Sequence, residues 1–159
     1  MASYLNRFLV ALADLEEDVV RVAYPGVVSV PYFFYHQETF PYITHRISEI
    51  APDPLSPVDV RGRSYNCIIR VVVGHVGASW KNESEYMLYE ILPMLEDFID
   101  SNGWLQDAAG LFPVPELSAL AVQPQQGRGL VVFNNAGIES MQVGAELITT
   151  VEFSLDRED

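Results

Sequence analysis

Between Asn66 and Ile99 the spacing of apolar residues changes once, from every second position to every third or fourth, and two glycines mark the change. From Asn66 to Val73 the chain alternates, with Cys67, Ile69, Val71 and Val73 on one side and Asn66, Ile68, Arg70 and Val72 on the other. Successive side chains of a strand point to opposite faces, so this segment is a central strand with one mostly buried face. After Gly74 and Gly77, the residues Met87, Leu88, Ile91, Leu92, Leu95, Phe98 and Ile99 recur at helical spacing and cover nearly half of a helix's circumference. A strand with an apolar face followed at once by a helix with an apolar stripe can bury both only by stacking one on the other. Asn82, with Glu85 three positions on, is the expected cap of this helix, and Asn102-Gly103 supplies a left-handed stop. Pro93 falls mid-helix, where it removes a backbone hydrogen bond and bends the axis.

The flanking segments fill out the same plan. Ser3 is placed to cap a first helix with Leu5, Phe8, Leu9, Leu12, Leu15 and Val19 along one stripe and Asn6, Arg7, Asp14, Glu17 and Arg21 opposite. Pro25-Gly26 breaks it. Val27 to Tyr35 then reads as an extended segment interrupted at Pro31, as an edge strand tolerates, and Pro41 to Ile50 as a second extended run. The stretch "APDPLSPVDVRGR", Ala51 to Arg63, carries three prolines and reads as a long loop. It is either a surface excursion or a contact element, and the sequence weighs the two about equally. Ser118 to Gln123, Leu130 to Phe133 and Ala145 to Leu155 read as strands, with turns at Gly127-Arg128-Gly129 and Asn134-Asn135-Ala136-Gly137. The order helix, strands, helix, strands lacks the strict alternation of a parallel sheet. It predicts a single α+β domain: an antiparallel or mixed β-sheet with two α-helices packed on one face.

Charge and cysteine usage narrow the functional classes. Nine Lys plus Arg stand against 22 Asp plus Glu, a formal net charge of −13 in 159 residues, which disfavours a broad grip on nucleic-acid phosphates. The lone Cys67 excludes an internal disulfide and lies in an apolar run, where a thiol behaves as a small buried hydrophobe; a reduced intracellular setting fits it. No stretch approaches the roughly 20 apolar residues of a membrane span, and no signal-peptide pattern opens the chain, so a soluble protein without membrane contact is expected.

The motifs that would carry chemistry fail one by one. A phosphate loop needs Lys and Ser or Thr directly after its last glycine, but Ala78-Ser79-Trp80 follows Gly77, and Gly74-His75-Val76-Gly77 lacks the third glycine of a dinucleotide fingerprint. The two glycines read instead as the point where the chain leaves the sheet and turns back as a helix. His36, His45 and His75 lie on separate extended segments without a paired Cys or His at ligand spacing, and read as surface or core hydrogen-bonders. The carboxylate pairs Glu16-Glu17, Glu96-Asp97 and Asp156 with Glu158 read as solvated charge on helix faces or in the tail. No serine sits in a nucleophile elbow. No enzyme, metal or cofactor is expected. Two large aromatics, Tyr86 and Tyr89, project with Pro93 opposite the apolar stripe of the second helix, where Glu or Lys would be ordinary, and an outside partner is expected to cover them.

Taken together, the short N-terminal helix, the region "VPYFFYHQETFPYI", the inserted loop, the strand "YNCIIRVVVGHVG", the helix "SEYMLYEILPMLEDFI" and the closing strand "GAELITTVEFSLD" resemble the tail terminator (tail completion) proteins of long-tailed bacteriophages. The resemblance spans Leu5 to Leu155 and rests on patterns of hydrophobicity and length. It implies a virion structural protein: a small α+β subunit that assembles as a hexameric ring on the head-proximal end of the tail tube, ends its polymerisation, and offers a surface for head attachment. The implied partners are further copies of the chain, the tail tube protein and a neck or head connector protein, with a sheath as a further candidate. DNA would pass through the bore without specific binding, past a wall carrying some of the excess carboxylates. Assembly would take place in the host cytoplasm. Such a ring needs two different patches per subunit. Tyr86, Tyr89 and Pro93 are candidates for one; Tyr32, Phe33, Phe34 and Tyr35, which a strand must divide between its two faces, are candidates for the other. The alternatives are another head-to-tail connector or neck completion protein and, further off, a small hydrolase or ligand-binding domain with a pocket near His75.

Overall fold

A computed structural model describes the backbone of residues 3–33, 35, 37, 39–52, 60–75, 80–102, 117–133 and 142–156, and the side chains of 3–33, 35, 37, 39–48, 65–74, 83–99 and 142–151. The element order is α1 (Tyr4–Arg21), β1 (Val28–Ser29), β2 (Tyr42–Pro52), β3 (Val60–His75), α2 (Trp80–Asn102), β4 (Leu117–Phe133) and β5 (Gln142–Asp156). The strands form one sheet in the order β1-β2-β3-β5-β4. The four long strands pair antiparallel and the two-residue β1 joins β2 in parallel, which makes the sheet mixed. The fold is the expected α+β arrangement with both helices on one face.

Register explains why the core forms where it does. Ile43 pairs with Val71, Val71 with Ala145, and Ile69 with Leu147, so one row of side chains on each strand faces the same way. That face is closed by Phe8, Leu9, Leu12 and Val20 of α1 and by Leu88, Ile91, Leu95 and Ile99 of α2. The alternation of β3 and the stripe of α2 are as the sequence predicts. Each fully buried Val, Leu, Ile or Phe side chain among these contributes about 1.5–3 kcal/mol of transfer free energy before entropy is subtracted. Ser3 caps α1 as expected, its hydroxyl accepting from the Asn6 amide at 3.2 Å.

At two glycines neighbours approach closely, and at the first of them this dictates the residue. A Cβ on Gly144 would lie 1.7 Å from the Val71 carbonyl oxygen, because β3 and β5 slip by one residue between Val72 and Gly74. A Cβ on Gly74 would meet the Ser84 hydroxyl at 2.5 Å, and that hydroxyl donates to the Val73 carbonyl at 3.4 Å. Gly74 therefore lets the first turns of α2 close onto the strand they have just left, the structural role expected of it.

Several boundaries differ from the sequence reading. The expected strand over Val27 to Tyr35 shrinks to Val28–Ser29; after Pro31 the chain bends, and Tyr32 and Phe33 lie outside any strand. The prolines did not keep 51–63 out of the sheet: Ala51 pairs with Ser64 and Pro52 with Arg63, and residues 53–59 lie outside the described ones. The helix α2 starts at Trp80, so Asn82 sits inside its first turn and is not its cap. The turn expected at Gly127-Arg128-Gly129 is absent, because β4 runs unbroken from Leu117 to Phe133 and absorbs Pro124 and the glycines as register irregularities. Gly77, Gly103 and the turn at 134–137 lie outside the described residues. In α1 the buried stripe is rotated from the one expected, so that Val20 and Glu16 are buried while Val19 is only partly so.

Candidate functional site

Three features hold the residues with chemical or binding potential. The first is the outer face of α2. Its core stripe turns the opposite side to solvent, leaving Tyr86 66% and Tyr89 59% exposed, with Pro93 exposed beyond them along the helix. Glu83, Glu96 and Asp97 share this outward band, and from Asn82 to Asn102 the helix has no Lys or Arg. Glu90, at its margin, accepts from the Tyr24 hydroxyl at 3.2 Å. Burial and this carboxylate hold the Tyr24 hydroxyl above the usual tyrosine pKa; the hydrogen bond and charge of Glu90 do the same for Tyr86. The exposed aromatics that the sequence singled out are thus brought together on one surface.

The second feature is the sheet face turned away from the helices. Phe33, Tyr35 and Phe40 fold over it. Tyr35 meets the Tyr42 ring edge-on at 5.7 Å, Phe40 stacks on the same ring at 6.0 Å, and the buried Tyr42 hydroxyl bonds to Gln142. The Phe33 ring has the Arg46 guanidinium 4.6 Å and the Arg70 guanidinium 4.3 Å from its centre, an arrangement favoured by the negative face of the aromatic quadrupole. Arg70 also reaches Glu146 across the β3–β5 pair at 3.3 Å. Burial, with some repulsion from Arg46, lowers the Arg70 pKa against the pull of Glu146. Tyr32 stays 63% exposed. The run Tyr32, Phe33, Phe34 and Tyr35 is therefore not divided between two strand faces. Phe33 and Tyr35 are half-buried against the sheet, Tyr32 projects outward, and Phe34 lies outside the described residues.

The third feature is a pair the sequence reading did not connect. Glu16 of α1, grouped with Glu17 as solvated charge, is fully buried, and its Oε2 lies 2.6 Å from His45 Nε2 on β2. Glu17 instead accepts from Arg21 at 2.6 Å and from the Ser29 amide at 3.3 Å, while Glu96 and Asp97 are exposed as expected. The other imidazole nitrogen of His45, Nδ1, lies 2.7 Å from the Val30 carbonyl oxygen, which only accepts. Nδ1–H donates to that carbonyl, and below the raised pKa of the ring Nε2–H donates to the Glu16 carboxylate, the ring then being an imidazolium. Burial opposes that charge, but Glu16 and Val30 outweigh it and hold the His45 pKa above its ordinary value. Oε1 of Glu16 has no hydrogen-bond partner among the described residues. With both side chains sealed at 0% exposure, the pair meets no substrate; it ties α1 to β2 and to the chain leaving β1.

Cys67 is buried close by, its thiol pushed up to about 12 by burial and then by the Glu16 charge, so it is a neutral packing group, as its apolar setting suggested. Among the described residues no group of three or more His, Cys, Asp or Glu side chains converges to hold a metal, and no helix is long and apolar enough to cross a membrane. His36 lies outside the described residues, as does the side chain of His75 at the end of β3. No protein-family model matches the chain, and no curated protein matches it either.

The signal for Glu16 and His45 was available. Glu16 lies three to seven residues from Leu9, Leu12, Ala13 and Val20, all buried on one helical face. His45 stands between Ile43 and Ile47 in the alternation of β2, both of which pack in the core. A carboxylate and an imidazole that must both enter the same apolar layer have one inexpensive solution, which is each other.

Proposed function

We propose that this chain is a structural subunit of a long-tailed bacteriophage, closing the tail tube as a ring of identical copies, hexameric as in the proteins it resembles. The ring would end tube polymerisation and present a surface to the neck or head connector, and no side chain would make or break a bond. The observation that carries the reading is the outward band of α2. Two neighbouring tyrosines, each more than half exposed, and an exposed proline find no cover within the described chain, whereas tyrosine is enriched where protein surfaces meet. The two ionisable groups best placed for chemistry, His45 and Glu16, are sealed in the core. The net charge of −13 suits a passage through which DNA moves without adhering.

Mass measurement in solution followed by negative-stain imaging tests this. A six-fold ring with a central hole, which then binds the end of purified tail tubes, is the expected result. A protein that stays monomeric at all concentrations, in the presence of tubes as well, would overturn it.

A further inference from the structure

The outer face of α2 and the face bearing Phe33 lie on opposite sides of the sheet. The first is aromatic and anionic: Tyr86, Tyr89 and Pro93 with Glu83, Glu96 and Asp97, and no cation between Asn82 and Asn102. The second carries an exposed aromatic, Tyr32, next to Phe33 and the guanidiniums of Arg46 and Arg70, with Arg46 exposed. Cations are scarce in this chain, with nine Lys plus Arg in all, and Arg21 is committed to Glu17 and Asp18 on its own helix. An exposed arginine set against the Phe33 ring is therefore a local exception in a strongly acidic chain.

We infer that these two faces are the two halves of one contact, the acidic tyrosine band of α2 on one copy docking against the Tyr32–Phe33–Arg46 surface of the next. The inference rests on the proposal that copies of this chain associate, and adds which surfaces meet. Charge complementarity selects the pairing. Two α2 bands placed against each other would bring carboxylates together, and two arginine faces would bring guanidiniums together, so a two-fold contact through either face is disfavoured. Joining unlike faces on opposite sides of a subunit is a heterologous contact, which repeats from copy to copy until the rotation closes it. Tyr86 and Tyr89 supply rigid, amphipathic area at the centre, and Arg46 meets both their ring faces and the carboxylates that flank them.

Because each subunit carries both halves, two defective variants can repair each other once only. Tyr89→Asp disables the α2 band and Arg46→Glu disables the opposite face; both substitutions are at exposed positions. Each variant alone is expected to sediment as a monomer at concentrations where the wild type assembles, its self-association weakened about tenfold or more. An equimolar mixture is expected to yield a dimer and nothing larger, because only the intact band of Arg46→Glu and the intact arginine face of Tyr89→Asp can meet. Unchanged far-ultraviolet circular dichroism shows that the variants are folded, and the milder Tyr86→Ala and Arg46→Gln repeat the test if either is not. Rings that persist in both variants would overturn this pairing of faces while leaving the ring itself standing. A mixture that stays monomeric would also overturn the pairing. A wild-type protein that never assembles would remove the ring and this contact together.

Discussion

Breaking the buried link between α1 and β2 should change both the stability of the fold and its dependence on pH. His45 and Glu16 are each fully buried, 2.6 Å apart, and His45 is further held by the Val30 carbonyl at 2.7 Å. His45→Ala leaves the Glu16 carboxylate in the core without its counter-charge, which costs about 3–5 kcal/mol. Against a typical total of about 5–15 kcal/mol, that is enough to bring many domains close to unfolding. With a urea slope of about 2 kcal/mol per molar, the midpoint falls by roughly 1.5–2.5 M. Glu16→Gln is gentler. A neutral His45 can keep Nδ1–H on Val30 and accept at Nε2 from the introduced side-chain amide, so the loss is about 1–2 kcal/mol, the difference between a charge-assisted and a neutral hydrogen bond.

The pH dependence separates these terms. His45 has its folded pKa raised above the ordinary value of 6.5, so the folded state binds its proton more tightly than the unfolded state does. The pair's contribution is therefore complete below about 6.5 and is lost as pH rises through the folded value. Urea midpoints measured from pH 6 to pH 8.5 should fall in the wild type relative to Glu16→Gln, in which the pair no longer depends on a shared charge. Midpoints that run parallel in the two proteins, or a His45→Ala variant more stable than Glu16→Gln, would refute the assignment of a charged pair.

The Cys67 thiol, raised from 9.0 to about 12, should resist a thiol-specific reagent at pH 8 in the native protein and react at once in urea; prompt native labelling would contradict its burial. Since that shift means the folded state keeps a proton the unfolded state gives up, it also adds a loss of stability as pH rises through 9. Gly144→Ala should abolish soluble folded protein, because its Cβ would press on backbone at 1.7 Å, while Gly74→Ala, which meets only a hydroxyl that can rotate, should fold with a modestly lower melting temperature; similar melting temperatures for the two would show that the β3–β5 contact is looser than described. Tyr4→Phe removes the 2.6 Å hydroxyl contact with Tyr65 that ties the start of α1 to β3, and should cost about 0.5–1.5 kcal/mol in urea unfolding.

The parts of this fold that were legible in the sequence are those where a single local rule decides. Alternation placed Cys67, Ile69, Val71 and Val73 under the helices, and the stripe from Met87 to Ile99 fixed which side of α2 faces the sheet, and therefore which tyrosines do not. What was misread depends on partners distant in the chain. Pro52 and the glycines at 127 and 129 are turn signals in isolation, yet β3 and β5 supply enough neighbouring hydrogen bonds to carry the strands through them. The aromatic run after Pro31 has high strand propensity, but Tyr35 and Phe33 gain more by covering Tyr42 and Arg70 than by extending an edge. Glu16 was obscured by its neighbour Glu17, because two adjacent carboxylates suggest a solvated surface although a helix turns them about 100° apart. In the candidate interface, the tyrosines of α2 followed from periodicity; Arg46 did not, because its importance comes from a ring folded over it from thirteen residues earlier in the chain.

The 17-residue strand β4 closes one side of the sheet, with β5 as its only strand neighbour among the described residues. A rim that long, if straight, would be a template onto which foreign chains could crystallise end over end. Its slips at Leu117/Ala119, Pro124/Gln126 and Arg128/Val131 divide the rim into short lengths. Broken in this way, the rim offers no long unbroken row of backbone partners, and contact with other chains falls to side chains.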